Sequence, residues 1–188
     1  TLKDNGNFCN DKGITVYDTA TITKATLKSE HIKFREGTTF TYTGQAIEPA
    51  FDVVIDGHVL AGPGNTDKDY DVVYSNNVDA GTATVTISGV GEYRGTASAT
   101  YTIQPADAAD LVGAIGTEEY RGYSIEIPAE DIDLTLNGNK IDVAKNFSLS
   151  FGENLNIGEG TVTLTPKNNN FTGTKTITFQ ITGEMLDG

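Results

Sequence analysis

Apolar positions recur with period two along most of the chain. In Thr82-Ala-Thr-Val-Thr-Ile-Ser88 the residues Ala83, Val85 and Ile87 fall on one side and the hydroxyl residues on the other. Thr161-Val-Thr-Leu-Thr165 and Lys175-Thr-Ile-Thr-Phe-Gln-Ile181 repeat the pattern, and Tyr70-Asp-Val-Val-Tyr74 follows it less cleanly. Successive side chains of a strand leave opposite faces of the pleat, so this alternation predicts half-buried strands. Thr, Val, Ile, Tyr and Phe also pack well on a pleated surface. Asp56-Gly57 and Asn137-Gly138 stand between apolar stretches and supply the positive φ angles of a type I′ hairpin turn. Asn77-Val-Asp-Ala-Gly81 and Asn154-Leu-Asn-Ile-Gly158 predict the next reversals. No stretch carries a 3.6-residue stripe, and Ala106 to Ile115 has room for one helical turn at most.

The alternating blocks recur. Tyr42-Thr-Gly-Gln-Ala-Ile-Glu-Pro49 aligns with Tyr120-Arg-Gly-Tyr-Ser-Ile-Glu-Ile-Pro128, and Asp69 to Asn77 aligns with Asn146 to Asn154. Gly81 to Ile87 matches Gly158 to Leu164, Gly91-Glu-Tyr-Arg-Gly95 matches Asn169-Asn-Phe-Thr-Gly173, and Tyr101-Thr-Ile103 matches Phe179-Gln-Ile181. Read at Tyr42, Asn77, Gly81, Gly95 and Ile103, the offset is 77 or 78, the signature of an internal repeat. Gly6-Asn-Phe8, Gly13 to Tyr17 and Thr21-Ile22 resemble the end of such a unit, with an insertion at Cys9 to Lys12. The expected organisation is a tail of a preceding unit or an N-terminal extension over residues 1–22, then units over 23–103 and 104–188. The joints at Ile22 to Leu27 and Ile103 to Leu111 are short, with few Gly and no Ser run, unlike a flexible tether. Several short strands at regular spacing argue for a sandwich or a barrel. A sandwich is favoured because each unit is small and its ends must join in series. The expected fold class is all-β, as tandem immunoglobulin-like β-sandwich repeats.

Tyr42-Thr-Gly44, Asp69-Tyr70, Tyr74-Ser-Asn-Asn77, Ala80 to Ile87, Gly91 to Gly95 and Tyr101-Thr-Ile103 together resemble the MBG-type immunoglobulin-like repeats of large bacterial adhesins and cell-wall proteins. The resemblance covers most of the chain after Lys24. The second unit departs from it, with Phe147 and Phe151 in place of tyrosines and Gly152-Glu153 in place of Ser-Asn. What the resemblance implies is an extracellular, non-catalytic sandwich module that spaces or adheres. It brings no ligand residues with it.

Composition narrows the partners. The 26 Asp and Glu residues outnumber the 13 Lys and Arg residues, a net charge of −13. Such a balance opposes phosphate backbones, which reward clustered cations, and anionic lipid surfaces. No apolar run approaches a bilayer span, and no signal-peptide pattern opens the chain. The first residue, Thr1, is read as marking a trimmed or mature fragment. Cys9 is the single cysteine, which forbids an intrachain disulfide; it is expected to be a small, partly buried residue. As a nucleophile it would need a base, and only His31 and His58 are present, neither in a nucleophile motif.

The remaining candidate chemistry is sparse. Asp67, Asp69 and Asp71 have a spacing that can offer oxygens to calcium, but the loop lacks the EF-hand's glycine and distal glutamate. A solvated turn leading into a strand is expected instead. Glu118-Glu119 and Glu130-Asp131 are carboxylate pairs, which glycoside hydrolysis would place across a cleft; on so acidic a chain, solvated faces are expected. Gly62-Pro-Gly-Asn65 is turn chemistry without the Lys-Ser/Thr of a phosphate loop. Tyr120 is expected in the core because it aligns with Tyr42, whereas Tyr123 aligns with Gln45 and is the aromatic best placed to stack on a glycan. Lys68 and Lys145 align with each other, as do Asn77 and Asn154, a combination compatible with stalk-type isopeptide bonds, although solvated lysines are expected. The sequence therefore predicts no enzyme, with no catalytic, cofactor-binding or metal-binding residues. It predicts a stalk or adhesion segment at the cell surface, monomeric, with host or cell-wall glycan or protein as partner. The alternative is an accessory glycan- or protein-binding module of a larger secreted enzyme.

Overall fold

Two Asx-Gly turns set the frame of the fold. Asp56 and Gly57 have φ of 50° and 82°, and Asn137 and Gly138 have 51° and 82°, the left-handed pair that a type I′ turn requires. The computed structural model describes residues 23–183; Cys9 and the pattern read as a preceding unit's tail, residues 1–22, lie outside them. The described residues are nearly all strand and loop, an all-β architecture. The first half contains β1 (Ala25–Thr26), β2 (Ile32–Phe34), β3 (Thr39–Thr41), β4 (Phe51–Ile55), β5 (His58–Val59), β6 (Tyr70–Ser75), β7 (Gly81–Gly89), β8 (Tyr93–Arg94) and β9 (Thr96–Gln104). The second contains β10 (Ala106–Asp107), β11 (Val112–Ile115), β12 (Glu118–Glu119), β13 (Ile132–Leu136), β14 (Asn139–Lys140), β15 (Phe147–Phe151), β16 (Gly158–Pro166), β17 (Phe171–Thr172) and β18 (Lys175–Thr182).

The halves carry matching sheets. A four-stranded sheet has the order β3-β9-β7-β6 in one half and β12-β18-β16-β15 in the other. A three-stranded sheet has the order β2-β4-β5 in one and β11-β13-β14 in the other. The outer strand of each larger sheet is parallel to its neighbour: Phe40 lies opposite Ile103, and Glu118 opposite Ile181. The other pairs in these sheets are antiparallel. Short parallel pairs, β1 with β8 and β10 with β17, start each half.

The period-two pattern decides which face is buried. On β7, Ala83, Val85 and Ile87 are fully enclosed, and on β16 so are Val162 and Leu164. The alternate threonines face outward and pair across strands, Thr86 with Ser98 at 2.9 Å and Thr163 with Thr176 at 3.0 Å. In the first half Val53 and Ile32 of the smaller sheet join Val85 and Ile87 of the larger one in a single apolar cluster. Burial of a large aliphatic side chain stabilises by about 1.5–3 kcal/mol, which is why the alternation dominates the fold. At Gly160 the sheet leaves room for an aromatic ring: a Cβ there would lie 2.5 Å from the Phe179 ring.

Among the described residues helix is confined to short turns. Asp107 accepts a hydrogen bond from the Ala109 N–H and opens the 3-10 turn Ala108–Asp110, the single turn that the joint has room for. The four-residue helix α1 (Val143–Asn146) was not legible in the pattern, since one turn cannot display a 3.6-residue stripe. Its start is capped by Asp142, which accepts from the Lys145 N–H at 2.8 Å, satisfying a donor that a helix start leaves free. Among the described residues no helix is long and apolar enough to cross a membrane.

The aligned asparagines act as clasps. Ile47 N–H donates to the Asn77 carbonyl at 2.8 Å, and Ile125 N–H to the Asn154 carbonyl at 3.1 Å. The Asn77 amide returns a bond to the Ile47 carbonyl at 3.4 Å. Asn154 does more: its Nδ2 donates to the Ile125 and Thr161 carbonyls, and its Oδ1 accepts from the Thr161 N–H at 2.8 Å. Asn154 is also buried, so its removal strands backbone groups away from water. Asn154→Ala should lower the unfolding free energy by about 1–3 kcal/mol and Asn77→Ala by less than about 1 kcal/mol, measured by urea denaturation. Equal losses would contradict this account.

Candidate functional site

An open concavity lies in the first half, where the loop from Ala61 to Asp69 runs between β5 and β6. It is an open cleft of about 740 Å³. Its floor is aromatic. Phe51 of β4 packs against Tyr70 and Tyr74 of β6 at centroid distances of 6.2 and 6.4 Å. The rim is polar, from Arg35, Glu48, Asp52 and Asn65.

Each part is held by local bonding. Asp69 closes the base of the loop, accepting the Ala61 N–H on Oδ2 at 2.7 Å while its own N–H donates to the Ala61 carbonyl at 2.8 Å. The Asn65 side chain donates to the Gly62 carbonyl at 2.9 Å. Gly62 lies directly against the Tyr70 hydroxyl, where a Cβ would stand 2.8 Å from the oxygen, so a side chain there would push the loop off the ring. Arg35 and Asp52 form a two-pronged pair across β2 and β4, Nη2 to Oδ1 at 2.5 Å and Nε to Oδ2 at 3.2 Å. The hydrogen bond from Arg35 holds the Asp52 carboxyl below its ordinary range. The Tyr74 hydroxyl donates to the Pro49 carbonyl at 2.9 Å, and burial pushes its pKa up to about 12.

The second half reshapes this region. Ile132, Phe147 and Phe151 stand where the first half has Phe51, Tyr70 and Tyr74, and α1 replaces the loop. The corresponding hollow, lined by Ile132, Ile141 and Val143, is about 420 Å³. The first half is longer here by four residues: Asp56 aligns with Asn137 at an offset of 81, whereas Asp69 aligns with Asn146 at 77. That change of offset was the available signal for the cleft. Gly62 to Asn65, read as turn chemistry, is its wall. Arg35 and Asp52 were not singled out, because nothing local in the sequence pairs residues on neighbouring strands.

A second concentration of polar side chains lies where the halves meet. Asn170, only 3 % exposed, accepts the Ala80 N–H at 2.7 Å and donates to Asp79 at 2.9 Å and to Asn146 at 3.1 Å. Lys145 donates to the same Asp79 oxygen at 2.9 Å, and the bonds from Lys145 and Asn170 hold that carboxyl below its ordinary value. Beside this network Tyr42 meets Phe171 edge to face at 5.2 Å. Gly44 is so close to the second half that a Cβ would lie 2.6 Å from Ile141 Cδ1. One apolar cluster accordingly includes Tyr42, Tyr101 and Ile103 together with Ile141, Phe147 and Phe171.

The other candidates are accounted for by their neighbours. Asp69 is engaged with the Ala61 N–H and Asp71 pairs with Lys68 at 2.5 Å; among the described residues no three His, Cys, Asp or Glu side chains are grouped to hold a metal. Lys68 and Lys145, both half-exposed, each face an aspartate, and Asn77 and Asn154 face backbone carbonyls, so no Lys–Asn contact is formed by these pairs. Glu118 pairs with Arg121 at 3.1 Å, while Glu130 and Asp131 lie exposed on a 3-10 turn. Tyr123 is exposed. The expectation for Tyr120 is corrected: it is 48 % exposed, whereas Tyr42 is 3 % exposed. Alignment preserved the backbone position, and Tyr42 is buried by the following half, which alignment does not report.

No protein-family model matches the chain, and no curated protein matches it.

The raised Tyr74 gives a pH dependence of definite sign. The folded state keeps that phenol protonated up to about pH 12, whereas an unfolded tyrosine ionises near pH 10. Its contribution is therefore complete below pH ~10 and is lost as the pH rises toward ~12. Urea unfolding between these values should show stability falling with pH, and Tyr74→Phe should make the fall shallower.

Proposed function

We propose that the chain is a non-catalytic extracellular segment of a bacterial surface protein, built from tandem immunoglobulin-like sandwich units of the MBG type and acting as a stalk or adhesion segment. The observation that carries this reading is the joint between the halves. A tether between independent modules would be polar and extended. Here the Asn170 network satisfies backbone and side-chain groups across the junction, and the Tyr42–Phe171 contact continues the apolar core through it. Units joined in this way transmit position, because rotating one against the other would break a buried network and open apolar surface. Stability in such a series is the sum of unit and interface contributions. The strong net negative charge supports solubility at the cell exterior. A monomer suits this role, with glycan or protein partners contacted by a distal region or by the segment itself.

A second reading, an accessory glycan- or protein-binding module of a larger secreted enzyme, is favoured by the cleft. Aromatic rings beside a fixed Arg–Asp fork and an amide are the elements with which sugars are stacked and hydrogen-bonded. On a glycan array, signal lost in Arg35→Ala and kept in Tyr123→Ala would favour this reading and place the site in the cleft. Loss in Tyr123→Ala alone would put it at the far end of the second half.

Small-angle scattering tests the leading reading. Two units in series should give a radius of gyration above roughly 20 Å, against roughly 16 Å for a compact globule of this length. Asn170→Ala should broaden the distance distribution by loosening the joint. A compact profile would overturn the stalk reading.

A further inference from the structure

The first half ends in a face that the second half covers, and the second half ends in the same face uncovered by any described residue. Tyr42 follows β3, and its N–H donates to the Gln104 carbonyl; Tyr120 follows β12, and its N–H donates to the Thr182 carbonyl, both at 2.8 Å. The Val78-Asp-Ala80 turn has its counterpart in Leu155-Asn-Ile157, which precedes Gly158 as the first precedes Gly81. Gly44 and Gly122 share a left-handed φ, 79° and 75°. The surroundings differ sharply. Gly44 is pressed on Ile141, whereas nothing lies within 4 Å of a Cβ built on Gly122. The Ala80 N–H is taken by Asn170 of the second half; among the described residues the Ile157 N–H meets no such acceptor.

The result is a set of exposed apolar side chains on the second half's counterpart of the covered face. Tyr120, Tyr123, Leu155 and Ile157 are 48, 60, 42 and 62 % exposed. The two turns that carry them are tied together, Ser124 Oγ donating to the Glu153 carbonyl at 2.7 Å, and Gly183, next to Thr182, lies against Ile157, where a Cβ would stand 3.0 Å from its Cδ1. Four large apolar side chains exposed on two hydrogen-bonded turns of so acidic a chain point to an interaction site. The covered counterpart shows what seats there. It is the leading end of a unit of this fold, presenting an aromatic ring and a neighbouring amide as Phe171 and Asn170 do.

We propose that Tyr120, Tyr123, Leu155 and Ile157 form the docking face for the leading end of a further unit of the same fold. The inference rests on reading the chain as a series of such units and names the surface by which the series continues. At this junction the Asp79–Lys145 ion pair would be replaced, since Asn156 occupies the position of Asp79. An amide oxygen still accepts from a lysine and an asparagine, so the polar part of the contact is kept with less charge. Ile157 in place of Ala80, and Tyr123 in place of Gln45, make this face more apolar than the one already covered.

The test extends the full chain after Thr182 with a second copy of residues 105–183, the spacing at which the second half follows Gln104. The appended copy carries Tyr120→Phe so that the original Tyr120 is identified by mass. Hydroxyl-radical labelling of the original Tyr120 should fall several-fold from its value in the unextended chain, toward that of Tyr42. Ile157→Lys in the original copy, a substitution at an exposed site, should restore it. Two extended chains are compared, one with the native face and one with Asn156→Asp and Ile157→Ala, which recreate the covered face. Unchanged Tyr120 labelling in both, or protection only in the converted chain, would overturn the proposal. So would protection that survives Ile157→Lys. Concentration-dependent dimerisation of the unextended chain, abolished by Ile157→Lys, would assign the face to a second copy and overturn it as well. The stalk reading is judged separately, by scattering from the unextended chain, so an elongated particle with an unprotected Tyr120 would reject this face alone.

Discussion

The packing of Tyr42 and Asn170 across the junction is the contact on which the arrangement of the two halves depends. Tyr42 belongs to the first half, yet its burial comes from Phe171 of the second. Asn170 belongs to the second half, yet it takes up the Ala80 N–H and the Asp79 carboxylate of the first. Parting the halves would break both of these bonds and expose the apolar surface around them, so the amide ties the halves in one orientation. The apolar cluster that crosses the junction adds a non-directional attraction to this directional one. The ion pair of Asp79 with Lys145 is half-exposed, and pairs of that kind contribute little; the buried amide and the rings are the stronger terms.

The same backbone plan is stabilised differently in its two versions. In the first half, tyrosine hydroxyls tie the sheets to the segment before β4: Tyr101 donates to the Ile47 carbonyl at 2.5 Å and Tyr74 to the Pro49 carbonyl at 2.9 Å. The second half has Phe179 and Phe151 at these places and loses both bonds. Asn154 takes over, with two donated bonds and one accepted, where Asn77 makes a single long one from its side chain. Gly160 in place of Ala83 then admits the Phe179 ring against the sheet. Exchange of polar ties for apolar contact plus one saturated amide leaves strand order and register matched.

Some of this was legible from local pattern. Alternation located β7, β16 and β18 and the faces they bury, and the Asp56-Gly57 and Asn137-Gly138 turns appeared where the dipeptides placed them. The sheet orders of the two halves match, a correspondence made by strand pairings that no local pattern specifies. The cleft was not legible in local pattern, since Arg35 and Asp52 come together through the pairing of β2 with β4. Helix α1 was hidden by its brevity.

What the sequence determined by itself was therefore whatever depends on near neighbours along the chain: the all-β character, strand periodicity and left-handed turns. What the tertiary structure decided was exposure. Tyr42 and Tyr120 occupy the same place in the same plan, one buried and one half-exposed. The difference is made by residues more than a hundred positions away, Phe171 among them, that come to lie over one tyrosine. Propensity and periodicity act over a few residues, whereas burial is settled by whatever the chain brings back from a distance.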